Sequence, residues 1–596
     1  MIAGIISCNP LTEEQKKSDA LYHTIKKEYT LHEDGSIDYR YTHDLEIRTH
    51  MAFNRMYGET FVVFNPEFQD LEVHKSVTTM RDGKEVASPE NAFNEVLPRW
   101  AAGAPDFNHL REMVITHTGL ETGSTIHLDY TLHSKAGYLP FLSAKEILPQ
   151  SSPVKEMEII VRVPENQEID YLLLNLPGQP NQTADEGYNV YKWEFNDLKA
   201  IDHEPALPHS NKHLPQLLFS SINLNNAIAT LSQPLAEELP AEIVDKTQKR
   251  VKGMNYVEDK VFELQNLVAN EINNINIPIE HTAYIPRSLG KVWKSNNGTE
   301  LEKTMLLQKI LEANGISSTP IVTINVEGFK DNMGVPENNG HYYLRINSEK
   351  PYFISASKLN KTNPMRYYGG DYQVSLTPEE DIVEAEKIIG DKSTTIGVTG
   401  KFKLDENGKI SGNSTTKFQG IAYNDLAIMR NEKAKKQMLY SIYAGAEVND
   451  INIRNSDDNA IEMDAKVVFS NAVKEQGDFL ITEIPQSNEG LQSWHINILP
   501  DEREYDIYLP SKLFEKYKYE LQIPEGMKWI GKAASVDTSF NGAELHIALK
   551  QEGNSILFEK EISFSETSIP KEHYKAFKAM INLWNEKIYN EIVLEK

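Results

Sequence analysis

The stretch IPRSLGKVWKSNNGTELEKTMLLQKILEANGI, Ile285 to Ile316, decides the reading of this chain. Its second half predicts a helix over 299–314. Thr299 supplies an N-cap hydroxyl, and Glu302, three residues on, completes a capping box. Glu300 then occupies the first helical position, where a negative charge meets the positive end of the helix dipole for about 0.3–1 kcal/mol. Gly315 stops the helix. Strand-like Thr319–Val326 follows. A loop rich in Asn and Gly, 328–340, leads to two more extended segments, His341–Ile346 and Pro351–Ser357. A helix followed by antiparallel strands predicts an α+β core.

The flanks read differently. Upstream, Ile37, Tyr39, Tyr41, Leu45 and Ile47 alternate on one face, and Asp34-Gly35 marks a hairpin before them. Ile126, Leu128, Tyr130, Leu132 and then Met157, Ile159, Val161, Val163 repeat the alternation, with Tyr191, Trp193 and Phe195 as the last strand. Short alternating strands with turns between them predict a sandwich. Residues 256–275 carry apolar side chains at helical spacing, with Asn255 and Glu258 placed to cap them. Downstream of about 380 the pattern is β again, with a turn at Asn407-Gly408. Tyr574, Phe577, Ile581, Trp584 and Ile588 share one face of a terminal helix expected to pack on a neighbouring domain.

The expected fold is therefore multidomain α+β. It comprises a leader or lipoprotein-like tail (1–19), an N-terminal β-sandwich (20–215), a central α+β core (216–378) and a C-terminal β-sandwich with terminal helix (379–596). A length of 596 residues suits three or four domains. The 87 acidic residues against 61 basic ones give −26, which should repel nucleic acid and anionic membranes and mainly keeps a large protein soluble. Cys8 is the one cysteine, so an internal disulfide, a Cys-rich zinc site and an internal thiol nucleophile are excluded. No cofactor or metal is called for. His203, His209 and His213 have spacings of six and four, but they lie among prolines without helical pattern and read as a linker.

Two stretches resemble known families. Asp34-Gly35-Ser36, Tyr57-Gly58-Glu59, Asn65-Pro66, Arg81-Asp82-Gly83-Lys84 and Gly119 to Ser124 resemble the bacterial domain of unknown function that precedes transglutaminase-like cores in envelope proteins. The run from Ile285 to Ile316 resembles the active-site helix of the transglutaminase-like (papain-like) superfamily, where Gly-Asp-Cys, any residue and Asp-Lys-Ala lead to paired Leu and a closing Gly-Ile. Matching on Gly298, Lys303 and Gly315 puts the family's cysteine on Glu300. The resemblance implies that the catalytic His falls on His341 and the third member, an Asp, on Ser355. The carboxy-terminal region resembles the β domain that ends such proteins. Met1 to Cys8 resembles a lipobox, which implies lipidation of Cys8 and a place in the cell envelope, periplasmic or anchored at the outer membrane. Seven residues are too few for a full leader, so either the start lies upstream or the likeness is chance.

In that fold the helix dipole and a nearby imidazolium favour a thiolate nucleophile. A carboxylate at residue 300 cannot repeat this, since its acyl derivative would be a high-energy anhydride. The preferred expectation is a non-catalytic envelope protein that binds peptide, glycan or protein through a degenerate cleft or the flanking sandwiches, with Tyr342, Tyr352 and Trp293 as binding candidates. The alternatives are a hydrolase using Glu300 and His341 as base and acid, and a structural spacer in a surface assembly.

Overall fold

The computed structural model describes residues 11–596 apart from 202–203, 208–211, 331–332, 350, 358–370, 378–384, 388–392, 421–431, 457–459 and 497. Cys8, His203 and His209 lie outside the described residues, and so does Tyr367-Tyr368, an aromatic pair in the sequence. The chain is multidomain and mostly β, with a helical region at its centre.

The N-terminal region is built on an eight-stranded sheet. Its order is Asn181–Asp185, Tyr188–Leu198, Val154–Pro164, Ala20–Leu31, Ile37–Ile47, Thr125–Ser134, Gln69–Thr79 and Glu85–Ala87. Only the pairing of Ala20–Leu31 with Val154–Pro164 is parallel. The Asp34-Gly35 turn forms as the sequence predicts, with Gly35 at φ +84°, a conformation open to a residue without Cβ. A three-stranded sheet of Asp170–Leu174, Gln216–Ser220 and Ser143–Ile147 joins the same core, Leu217 and Phe219 packing with Ile159, Val161 and Trp193.

The central region sets a five-stranded sheet beside helices, the short Leu289–Ser295 among them. The strand order is Tyr352–Ile354, Asn339–Ile346, Ser318–Ile324, Tyr372–Ser375 and Ala385–Lys387. The helices Leu224–Leu231, Ala241–Arg250, Val257–Glu271 and Glu300–Ala313 share one apolar core with it. The Glu300 helix is central, since residues 301–307 are all buried. That includes Lys303, fully buried, whose Nζ donates to the carbonyls of Ala269 (3.5 Å) and Ile272 (2.6 Å) and to Asn274 Oδ1 (2.7 Å). The ammonium thus satisfies carbonyls at the C-terminal end of the Val257 helix, where a cation is favoured. Burial pushes Lys303 down to about 8. The expected Asn255 cap is not made: the helix starts at Val257, with Tyr256 at the N-cap and no side-chain cap bond.

The C-terminal region repeats the N-terminal plan. An eight-stranded sheet again contains one parallel pair, Ser393–Leu404 with Lys512–Gln522. The helix Tyr574–Asn585 packs on this region's own core, Phe577 against Phe564 and Trp584 against Tyr517, rather than on a neighbouring domain. Ile588 lies beyond its end and is 63% exposed. The chain turns there into a strand, Glu591–Glu595, which pairs with Phe479–Glu483 and draws the terminus into a second sheet.

Buried titratable groups of the folded state give predictions. Lys303→Met keeps length but leaves the Ile272 carbonyl and Asn274 without their donor; we expect a loss of about 1–3 kcal/mol in urea unfolding. A change near zero would mean water replaces the ammonium. In the N-terminal region, His43 meets His117, just past the strand Arg111–Thr116, at 6.3 Å between ring centroids. Burial, joined for His43 by the neighbouring imidazole, pushes His43 down to about 3 and His117 to about 4. The unfolded chain therefore binds more protons below its ordinary histidine value of about 6.5. Their contribution is complete above that value and is lost as pH falls toward 4 and 3, by up to about 1.4 kcal/mol per histidine per pH unit. Urea unfolding between neutral and mildly acid pH should show a shallower slope, by about one proton, for His43→Phe. Identical slopes would show that His43 is solvated.

Candidate functional site

The site begins with the cap of the Glu300 helix. Thr299 is at φ −67°, ψ 165°, and its hydroxyl accepts the Glu302 N–H at 3.2 Å. Glu302 Oε2 accepts the Thr299 N–H at 2.9 Å, closing the predicted capping box. The same carboxylate holds Arg287. Its Oε1 accepts the Arg287 backbone N–H and Nε at 2.9 Å each, and its Oε2 accepts Nη2 at 2.8 Å. Arg287 also donates to Asn297 and, through Nη1, to Asp106 of the N-terminal region at 2.6 Å. Glu302 is 2% exposed, so this is a buried pair whose hydrogen bonds are filled.

Fixed by that cap, Glu300 points the other way. Its Oε1 and Oε2 lie 3.3 and 3.2 Å from Nδ1 of His341. His341 sits on the strand Asn339–Ile346, positioned by its own N–H, which donates to Thr323 Oγ1 at 3.0 Å. The imidazole is half exposed and the carboxylate less so. Sequence positions 41 residues apart are thus brought to hydrogen-bond reach at the head of a helix.

Ser355 is buried. Its Oγ accepts the Ser357 N–H at 3.1 Å and its carbonyl accepts Gln265 Nε2 at 3.0 Å. Tyr342 lines the cleft beside Glu300, and its hydroxyl accepts from Asn339 at 3.2 Å. Burial raises the Tyr342 phenol. The other two binding candidates are elsewhere. Trp293 lies under the Lys246 ammonium, 4.7 Å from the ring centroid, and packs on the helical core. Tyr352 also packs against that core. Neither lines the cleft, because helix and strand periodicity turns them inward. His213 stacks edge-on to Tyr505 at 5.3 Å.

The cleft encloses about 570 Å³. It is lined by Thr299, Glu300 and Tyr342, by Ile275 to Glu280, and by Lys145 and Ile147 of the N-terminal region. Glu337, on its edge, accepts from Tyr284 Oη (2.6 Å) and from Ser143 Oγ of the N-terminal region (2.7 Å). Burial raises the Glu337 carboxyl above its ordinary value, the two hydroxyls opposing it. Lys145 donates to Asn338 Oδ1 at 3.0 Å, and burial lowers it. Sequence reasoning missed Lys145, Ser143, Tyr284 and Glu337; they come from loops and an unrelated strand, and no spacing joins them. A larger cavity of about 1050 Å³ lies in the C-terminal region and contains none of the predicted site residues.

Comparison with known proteins agrees with this layout. The model of the domain of unknown function DUF3857 matches residues 33–202, and that of DUF3858 matches 478–594. A crystal structure from Parabacteroides distasonis, described as a "putative protease", superposes with a TM-score of 0.74 at 26% identity, covering 97% of this chain and 99% of that one. A "putative cysteine protease" from Cytophaga hutchinsonii matches 40% of this chain and 82% of its own at 10% identity; its TM-score of 0.18 carries no argument. No curated protein matches. The chain therefore carries DUF3857 and DUF3858 domains on a transglutaminase- or protease-like fold.

If residue 300 stands where a nucleophile would, a thiol placed there should behave as one. Glu300→Cys in a Cys8→Ser background is expected to react with iodoacetamide at pH 6.5 about tenfold faster than an ordinary cysteine, whose value is near 8.5. His341→Ala should abolish the difference. Ordinary reactivity in both would remove the correspondence.

Proposed function

We propose that this chain is a non-catalytic transglutaminase-like protein of the bacterial cell envelope, flanked by two β-sandwiches, that holds a peptide in the Glu300 cleft. The observation that carries the reading is the Glu300–His341 contact of 3.2 Å at the head of the central helix. A carboxylate occupies the place from which a thiolate would attack, and it engages the imidazole that would activate one. The only cysteine, Cys8, lies 292 positions before Glu300 in sequence and is read as a lipid attachment point. Support for a peptide comes from the protease description of the structure from Parabacteroides distasonis, which aligns over nearly the whole chain. The cleft is of the size that takes a small ligand, with apolar walls and a few convergent polar groups.

The contact also suits an acid/base pair, so the test must separate binding from turnover. The protein is equilibrated with a mixed library of short peptides, and retained and cleaved species are read by mass spectrometry. Retention without cleavage is expected. Glu300→Ala should weaken retained peptides by about tenfold, as for loss of a charge-assisted hydrogen bond. Hydrolysis that disappears in both Glu300→Ala and His341→Ala would overturn the reading in favour of a hydrolase. Envelope placement is checked separately, by fractionation and mass spectrometry of Cys8 in the native host.

A further inference from the structure

A second pocket, of about 510 Å³, adjoins the Glu300 cleft, and Thr282 lines both. Its electrostatic character is different. Lys291 and Lys294 line it, three residues apart and therefore on one face of the helix Leu289–Ser295. Both are exposed, and among the described residues neither ammonium has an anionic partner. Other lysines nearby do find one: Lys246 pairs with Glu271, Lys309 with Glu312, Lys330 with Asp170. Asp106, the acidic residue in the pocket wall, is taken by Arg287. In a chain with a net charge of −26, a concave surface that keeps two cations uncompensated is set against the general field.

The walls are also held in place. Tyr138 stacks on Phe68 with parallel rings 5.0 Å apart, and His281 stacks on Trp100 at 5.3 Å. Phe107 lies under the Arg287 guanidinium, 4.9 Å from its ring centroid. Aromatic faces below and ammonium groups at the rim suit a short chain ending in an anion. The anion that an unmodified peptide carries is a carboxylate.

We propose that this pocket takes a carboxylate of the peptide lying in the Glu300 cleft, held by Lys291 and Lys294. The inference rests on the peptide reading above and names the group that the peptide must present. The carboxylate comes from a free C-terminus or from an acidic side chain.

The test uses the full chain and three probes: acetyl-Ala-Ala-Ala as the free acid, the same peptide as its amide, and acetyl-Ala-Glu-Ala amide. Lysine acylation reports on Lys291 and Lys294, and hydrogen exchange of 275–282 and 339–342 reports on the cleft. The free acid, the glutamyl amide or both should protect the two lysines about threefold to fivefold, and the neutral amide should not. Which of the two protects identifies the source of the carboxylate. Lys291→Ala with Lys294→Ala should reduce binding of the charged probe to that of the neutral one, without moving the unfolding midpoint. Rising ionic strength should erase the same advantage. Equal protection by all three probes overturns the carboxylate pocket. So does slowed exchange at the cleft with neither lysine protected, which leaves the peptide reading standing. No slowed exchange with any probe overturns the peptide reading and this inference with it.

Discussion

The site depends on one buried ion pair, Arg287 with Glu302. Such a pair stabilises only when every donor and acceptor is filled, because the desolvation cost of each charge is several kcal/mol. Here both oxygens of Glu302 are shared between the guanidinium, its backbone N–H and the Thr299 N–H. The carboxylate is at once the counter-ion of Arg287 and the cap of the helix. The next residue, Lys303, is a buried charge of opposite sign and closes the end of another helix. These two consecutive side chains lock the first turn between neighbours, and that fixes where Glu300 projects.

The same environment explains why a carboxylate is tolerated at residue 300. A helix N-terminus facing an imidazole stabilises any anion. The field that would lower a thiol's proton affinity stabilises Glu300 instead. A thiol and a carboxylate at residue 300 would therefore differ little for the fold and decisively in chemistry. A carboxylate captured by acyl transfer would give an anhydride, while the 3.2 Å contact of the Glu300 carboxylate with His341 Nδ1 is an ordinary hydrogen bond.

Much of this was legible in the sequence where the signal is local. The capping box from Thr299 to Glu302, the Gly35 turn and the period-two strands follow from neighbours a few residues apart. The closeness of Glu300 and His341 came from resemblance rather than spacing, and the geometry places them together. What stayed hidden depends on long-range pairing. His43 sits on the inward face of an alternating strand, yet His117 reaches it from the end of Arg111–Thr116, a strand of another sheet. Trp293 is a binding candidate in the sequence, but the Lys246 ammonium lies over its ring. The Asn255 cap failed because the helix starts one residue later than a cap there would require. The last strand, Glu591–Glu595, is too short to stand out and exists only because Phe479–Glu483 offers an edge.

The cleft belongs to no single domain. Lys145 and Ile147 reach it from a strand of the N-terminal region, and Ser143 of the same strand donates to Glu337. Ala101, Ala104, Phe107 and Leu110 pack on Ile275 and Ile277 just beneath it, and Asp106 adds an ion pair to Arg287. A second cluster, Leu218 with Met333 and Val335, and the ion pair Lys330–Asp170 join the same two regions. Anything bound across this seam touches both sides, so occupancy must stabilise the docked arrangement by mass action. The coupling runs both ways, because a ligand's apparent affinity falls with the fraction of molecules in which the seam is closed. A ligand in the cleft would thus hold the N-terminal β region against the core, a physical role that requires no nucleophile.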